Sequence, residues 1–255
     1  MRKPACALAA MLTIAAAVFS PPCFAQDDDE AAVQQRLAPL LDRFVSSVDA
    51  LSGYSVIMTM QQRIGGELKP TETLLMKHRR KPECRYLKWI AEPHKGREVI
   101  LCTDRDGGKL RVHQPGLLGL QLLLSPDDLI VTSGNLRPIS QSGIFNMAQL
   151  IRNEGQRRAA GSRDGAPLPM LSERSVDGQA SLCVHRDQGA AAGDPAPYEV
   201  GASELCLAWL SAMPTDVKFW NTRGQLMEHY GFRDYELDPE LGELQFDTRN
   251  PDYHF

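Results

Sequence analysis

The stretch that most constrains the fold of this chain is residues 72–114, in which apolar and aromatic runs alternate with turn residues. Residues 84–90 and 98–102 are rich in aliphatic and aromatic side chains, and Pro82 and Pro93 separate them from neighbouring segments. Such a pattern predicts consecutive antiparallel strands, a β-meander. Neither set of alternate residues in 84–90 is wholly polar, so the sequence predicts a curved sheet that is covered on both faces.

Strand patterns recur before and after this meander. Residues 54–63 alternate as a strand, and Gly65-Gly66 predicts a hairpin to the next strand at 71–78. Asp177-Gly178 predicts a second tight hairpin near the middle of the C-terminal half. The strands predicted in that half cover residues 171–176, 180–186, 205–210, 215–220 and 225–234.

Two amphipathic helices are predicted beside the strands. Apolar residues recur at helical spacing over residues 33–51, up to Ser52-Gly53. A second helix is predicted to begin after Ser142, as its N-cap, and to end at residues 153–155. The first helix has one apolar stripe to cover, so we expect it to lie on the sheet, in an α+β fold in which helices cover the sheet. The second helix is either a lid or an ordinary packing helix, and the sequence leaves both open. Loops are predicted at residues 156–169 and 188–201.

A leucine-rich segment, residues 116–126, has no clean period of two. One interpretation is an apolar flap at the mouth of a cavity, and the other is a loop or short helix packed into the core. The sequence alone leaves both open.

Residues 1–25 predict a signal peptide with cleavage near Ala25, because Arg2 and Lys3 precede an apolar run that ends at Pro21-Pro22. That run is about 15 residues long, shorter than the roughly 20 that cross a bilayer. The residues before Cys23 lack the pattern of a lipidated cysteine. We therefore expect a periplasmic or secreted protein with residues 26–255 as a single domain and no membrane-spanning segment in the mature chain.

The charge balance argues against nucleic acid as a partner. Without Arg2 and Lys3, the 28 basic residues become 26 against 32 acidic ones, a formal charge of −6. The one basic cluster, residues 77–81, has two interpretations: a surface for an anionic head group, or a solvated hairpin end.

Four cysteines remain after residue 25, namely Cys84, Cys102, Cys183 and Cys206. An even number in an exported chain predicts disulfides. Hairpin geometry favours Cys84 with Cys102 and Cys183 with Cys206, because each pair would face across two neighbouring strands. Four buried free thiols are the alternative.

Catalytic and metal-binding motifs are missing from the sequence. There is no CxxC, HExxH, GxSxG, P-loop or GxGxxG pattern, and the six histidines are scattered. His113 is interpreted as a structural histidine, Asp106 as a turn residue, and Asp127-Asp128 as a helix start. We therefore predict neither catalytic residues nor a metal or cofactor, and a protein that is not an enzyme.

The order of these elements, together with several short motifs, carries a family resemblance. The motifs include Lys88-Trp89, Arg137-Pro138-Ile139 and Tyr230-Gly231-Phe232, and the chain ends with Asn250-Pro251-Asp252-Tyr253. In this layout the chain resembles an uncharacterised secreted bacterial family and is similar to periplasmic lipoprotein carriers of the LolA/LolB kind and to the related sensor RseB. The resemblance implies an incomplete, strongly curved antiparallel barrel, closed by helices, that binds acyl chains inside.

Two functional hypotheses follow. The first is a non-catalytic periplasmic protein that holds an acyl chain or a lipidated ligand, such as a lipoprotein, in the concavity of the sheet. The second is an envelope sensing or interaction domain with a protein partner, the same fold, a filled core and no lipid ligand. The residues expected to bind the ligand are Trp89, Leu101, Leu120, Leu123, Ile144, Met147, Ile151, Trp209 and Trp220.

Overall fold

The computed structural model describes residues 30–116, 121–128, 131, 133–159, 168–187 and 196–255. The predicted signal peptide lies outside them. The described elements include two α-helices, α1 (Glu30–Ala50) and α2 (Ile144–Ala159), three short 3-10 helices, and twelve strands. The strands are β1 (Gly53–Ile64), β2 (Glu67–Leu68), β3 (Glu72–Arg79), β4 (Cys84–Trp89), β5 (Glu98–Cys102), β6 (Leu110–His113), β7 (Gln121–Leu124), β8 (Met170–Val176), β9 (Gln179–Arg186), β10 (Val200–Ala208), β11 (Pro214–Asn221) and β12 (Leu226–Leu237).

All twelve strands belong to one sheet with the order β7-β6-β5-β4-β3-β1-β12-β11-β10-β9-β8, and β2 pairs beside β1. Every described pairing is antiparallel. The sheet is not closed, because β7 and β8 are its two edges. The structure therefore confirms the predicted fold class, an open curved antiparallel sheet with helices over it. The two meanders meet where β1 pairs with β12.

Helix α1 covers the concave face of the sheet with the apolar stripe that its sequence predicts. Leu37, Leu40, Phe44 and Val48 are at most 2% exposed and belong to the main core. Full burial of each such side chain contributes about 1.5–3 kcal/mol. Neither described helix is long and apolar enough to cross a membrane.

Helix α2 differs from the prediction at both ends. The Ser142 hydroxyl donates to the carbonyl of Ile139 (2.7 Å) and does not cap the helix; the Ile144 N–H donates instead to Tyr54 Oη (3.1 Å). The helix also continues past its predicted end at residues 153–155. Gly155 keeps a negative φ, and Glu154 pairs with Arg157 one turn later, so the helix extends to Ala159.

The leucine-rich segment is neither a loop nor a short helix where the structure describes it. Gln121–Leu124 form the edge strand β7, and Leu122 pairs with Val112 of β6. Residues 117–120 lie outside the described residues. A second difference is at β10, which begins at Val200, inside the segment predicted to be a loop.

The outer face of the β4–β5 hairpin is covered by the C-terminal segment. Phe246 packs with Tyr86 and Ile100 in a second core, and the Tyr253 ring stacks on Tyr86 with 4.0 Å between centroids. The His254 N–H donates to Glu98 (3.1 Å), whose side chain is fully buried. The prediction that this sheet is covered on both faces is confirmed.

Most of the basic cluster at residues 77–81 is part of the packed structure, and Lys81, in the turn, is exposed. His78 is fully buried, and burial lowers its pKa to about 4. The Arg79 guanidinium lies 4.9 Å from the Phe246 ring, and Arg80 lies 4.2 Å from the Phe145 ring. These cations hold the C-terminal segment and α2 against the sheet.

The structure joins the four cysteines in the predicted pairs. Cys84 and Cys102 are opposite each other on β4 and β5, and Cys183 and Cys206 on β9 and β10. Each disulfide therefore fixes the register of one hairpin, and the two lie in opposite halves of the sheet.

Removing the second disulfide by Cys183→Ala with Cys206→Ala is expected to lower the free energy of unfolding by about 3 kcal/mol. The two residues are 23 apart in sequence, and a cross-link over a loop of that length restricts the unfolded chain by about this amount. Urea denaturation of the variant and of the oxidised parent measures the difference. A reducing agent should lower the stability of the parent. It should not change the stability of a variant in which all four cysteines are replaced. Equal midpoints for variant and parent would contradict the prediction.

Candidate functional site

A cavity of about 1530 Å³ lies between the concave face of the sheet and the two helices. Most of its wall is apolar. Its aliphatic and aromatic lining includes Leu37, Leu41 and Val45 of α1, Met147, Leu150 and Ile151 of α2, and Met58, Met60, Leu74, Leu87, Trp89, Val99, Leu110, Val112, Leu122, Leu124, Val184, Leu205, Val217, Phe219, Tyr230 and Phe232 of the sheet.

Strand alternation decides which side chains line this cavity. On β7, Leu122 and Leu124 line it, whereas Leu123 faces away and is 49% exposed. On β12, Tyr230 and Phe232 line it. The wall runs from the β7 edge across the sheet to β9, so one continuous apolar surface is available.

Three of the predicted ligand-binding residues line the cavity: Trp89, Met147 and Ile151. Two others are buried but do not line it. Ile144 is fully buried at the start of α2, next to Tyr54, and Leu101 is packed in the main core. Both therefore belong to the main core rather than to the cavity lining.

The predictions for the remaining four residues are corrected or lie outside the structure. Leu123 points away from the cavity because its neighbours in β7 point into it. Trp220 also alternates with the lining residue Phe219, and its ring packs 5.5 Å from His185 on the outer face. Trp209 follows the end of β10 and packs only partly on the main core. Leu120 lies outside the described residues.

A buried carboxylate, Glu228, anchors one part of the cavity wall. It is fully buried, accepts from Arg137 Nε at 2.8 and 3.0 Å, and accepts from the hydroxyls of Tyr198 and Tyr230 at 2.5 Å each. Gln62 Nε2 donates to Tyr230 Oη (2.8 Å). This group, the Glu228 network, ties the chain segment around Arg137 to the sheet. Burial, and then the nearby Glu228 charge, raise the pKa of both tyrosines well above the usual range.

A second polar group lies at the β3–β4 side of the cavity. We call it the Arg97 cluster, and it consists of Glu72, Trp89, His94, Arg97 and Gln114, all of which line the cavity. The Trp89 indole N–H donates to Glu72, and Arg97 Nε donates to Gln114 Oε1 (2.6 Å). The guanidinium also lies 3.1 Å from His94 Nδ1 and 5.3 Å from the Trp89 ring. Arg97 is half-buried, so this cluster stands where the cavity meets solvent.

Sequence reasoning missed both polar groups. Arg137 belongs to one of the short motifs that carry the family resemblance, but nothing local shows that it or Arg97 lines a cavity. Glu228 and Arg137 are 91 residues apart, and they meet only because β12 returns to the centre of the sheet. The available signal was a glutamate on the same strand face as Leu226, Tyr230 and Phe232.

The fold and the cavity define a class of protein: an open, curved antiparallel sheet that holds an apolar cavity beneath two helices. The chain belongs to the family described as "Protein of unknown function (DUF1571)", whose model matches residues 51–255. This match confirms the predicted resemblance to an uncharacterised family. No functionally curated protein is detectably similar in sequence.

Several solved structures are similar to this one. The lipoprotein LppX of Mycobacterium tuberculosis is 11% identical over 82% of this chain and 99% of its own, with a TM-score of 0.48. The complex of Pseudomonas aeruginosa MucA and MucB matches at 16% identity over 82% of this chain and 60% of the other, with a TM-score of 0.43. A LolA superfamily protein of Nitrosomonas europaea matches at 11% identity over 82% and 96%, with a TM-score of 0.35.

Proposed function

We propose that this protein is a non-catalytic binding protein of the bacterial envelope that holds an acyl chain, free or as part of a lipidated ligand, in the cavity under its two helices. The observation that carries the proposal is the cavity itself, with a volume of about 1530 Å³ and a continuous apolar wall. Drug-sized ligands occupy pockets of about 300–1,000 Å³, so this one has room for at least one long chain.

Burial of methylene groups supplies the driving force. Each methylene taken from water contributes about 0.8 kcal/mol, so a 16-carbon chain gains about 13 kcal/mol before losses. Association and ordering cost about 4 kcal/mol or more. For a cost near the lower end of that range, about 5 kcal/mol, the remaining roughly 8 kcal/mol corresponds to micromolar binding, and no covalent step is needed.

The polar groups of the lining support binding rather than catalysis. His94 is the histidine among the described lining residues, and its ring nitrogens contact Arg97 (3.1 Å) and Glu72 (3.5 Å). Neither contact is to a hydroxyl or a thiol, so the described lining lacks the nucleophile and base pair that acyl transfer uses.

The alternative function, a sensing domain of the same fold, requires a filled core. The wide cavity does not favour it. An envelope location fits the predicted signal peptide and the two disulfides, because disulfides persist in oxidising compartments.

The β7 strand offers a matched test of the proposal. Leu122→Glu puts a charge into the lining, and Leu123→Glu puts the same charge on the exposed face one residue away. We expect Leu122→Glu to weaken binding of a fluorescent fatty acid at least tenfold, because a carboxylate in an apolar wall is desolvated and repels the ligand's own charge. Leu123→Glu should bind as the parent does.

The measurement is a fluorescence titration of delipidated protein, with circular dichroism to show that both variants are folded. Mass spectrometry of lipids extracted from the purified parent is a second readout. If the parent shows no saturable binding at tens of micromolar fatty acid, the proposal is wrong. If both variants weaken binding equally, the ligand does not bind in this cavity.

A further inference from the structure

Four arginines are among the described residues of the cavity wall, and three of them have a carboxylate partner. Arg137 pairs with Glu228 (2.8 Å), Arg152 with Asp49 (2.6 Å), and Arg186 lies 3.5 Å from Glu154. Arg97 is different. No carboxylate of the described residues lies within 4.0 Å of its guanidinium, and its hydrogen bonds go to the neutral amide of Gln114 and to the His94 ring.

The surroundings of Arg97 present its charge to the cavity. The guanidinium is held in place by Gln114 and His94 and stacks near the Trp89 ring, so its orientation is fixed before any ligand binds. Burial lowers its pKa and the charge of Glu72 raises it, but an arginine remains protonated in proteins. Glu72 itself is bonded to the Trp89 indole and lies near His94.

A long apolar surface begins next to this cation. Val99 follows two residues after Arg97 and lines the same cavity, and its partner on β6 is Val112, which in turn pairs with Leu122 of β7. A molecule lying here would place one charged end at the half-exposed Arg97 and an apolar body along three strands.

We propose that Arg97 binds the anionic end of an amphipathic lipid, a carboxylate or a phosphate, while the acyl chain fills the cavity. This inference rests on the proposed acyl-chain function and names the ligand class that the site selects. A guanidinium suits both oxyanions because its planar N–H groups match them in bidentate geometry. The attraction between the guanidinium and the anion is stronger where water is partly excluded, as at a half-buried cavity mouth.

The test compares two ligands of equal chain length, palmitate and 1-hexadecanol, by competition against a fluorescent fatty acid. The variants are Arg97→Gln, Arg97→Lys, and Arg152→Gln as a control, because Arg152 lines the same cavity but is paired with Asp49. We expect the parent to prefer palmitate over hexadecanol by tenfold or more. Arg97→Gln should lose that preference and keep hexadecanol binding, Arg97→Lys should keep part of it, and Arg152→Gln should keep all of it.

Hexadecanol binding shows that each variant is folded with its cavity intact, so a loss confined to palmitate reports on the anionic end alone. Equal binding of both lipids by the parent, or an unchanged preference in Arg97→Gln, overturns this inference and leaves the acyl-chain function standing. Binding of neither lipid removes that function as well. Inorganic phosphate is the third probe: if it alone binds as tightly as palmitate, Arg97 is a site for free anions and the head-group assignment is wrong.

Discussion

Gly143→Ala is expected to lower the free energy of unfolding by about 2 to 6 kcal/mol. Gly143 has a φ of 95°, where a residue with a Cβ costs about 1–3 kcal/mol. The added methyl would also overlap the hydroxyl of Tyr54, and overpacking a core adds about 1–3 kcal/mol. Tyr54 cannot move away, since its ring is fully buried and packs edge-on to Phe145 with 5.3 Å between centroids. Guanidinium denaturation measures the loss.

A second substitution separates the two causes. Tyr54→Phe removes the hydroxyl, and in the parent it costs the hydrogen bond from the Ile144 N–H, about 1–3 kcal/mol. Combined with Gly143→Ala it should cost less than the sum of the single changes, because the overlap is gone while the backbone strain stays. Strict additivity would show that the methyl group and the hydroxyl do not meet.

Glu228→Ala is expected to cost about 3 to 5 kcal/mol, because it removes the carboxylate that pairs with the mostly buried guanidinium of Arg137 and that accepts from two tyrosine hydroxyls. The same change frees the chain segment around Arg137 from the sheet, so the cavity wall should open with it. Thermal unfolding gives the first effect, and hydrogen exchange of the backbone N–H of Leu136, which donates to Gln62 Oε1, gives the second.

The matched control replaces both partners of the ion pair. Glu228→Leu with Arg137→Met removes the two charges together and fills the space with apolar atoms, which is often close to neutral for a buried pair. The double variant should therefore be more stable than Glu228→Ala. If the double variant is less stable than Glu228→Ala, an unpaired Arg137 charge is not the source of the loss, and the explanation given for Glu228→Ala is wrong.

The strands and the helix α1 could be predicted because their signals are local. The Gly65-Gly66 and Asp177-Gly178 turns fix two hairpins, and alternation of apolar residues fixes which face of a strand is buried. The same local reasoning placed both cysteine pairs, since residues that face each other across a hairpin need only the turn between them.

The site was predictable only in part, because lining a cavity is a property of the whole sheet. Trp89 and Met147, which line the cavity, were chosen because they are apolar. Leu123 was chosen for the same reason, but it faces away from the cavity. An apolar side chain does not show by itself which face of an edge strand it is on, because that depends on the register of the strand. Arg97 and Glu228 were missed for another reason. Each of these charged side chains matters because other strands and loops bury it, and those strands and loops are distant in sequence.

The pairing of β1 with β12 has a consequence for the order in which the molecule assembles. Each half of the sheet is built from strands that are neighbours in sequence, so each can form soon after it is synthesised. The seam between them joins residues that are far apart in sequence; Ser55 and Glu236, for example, are 181 positions apart. Until the last strand arrives, β1 has an unpaired edge that invites association with other chains. The final strand thus completes the wall of the cavity and, in the same step, protects the centre of the sheet.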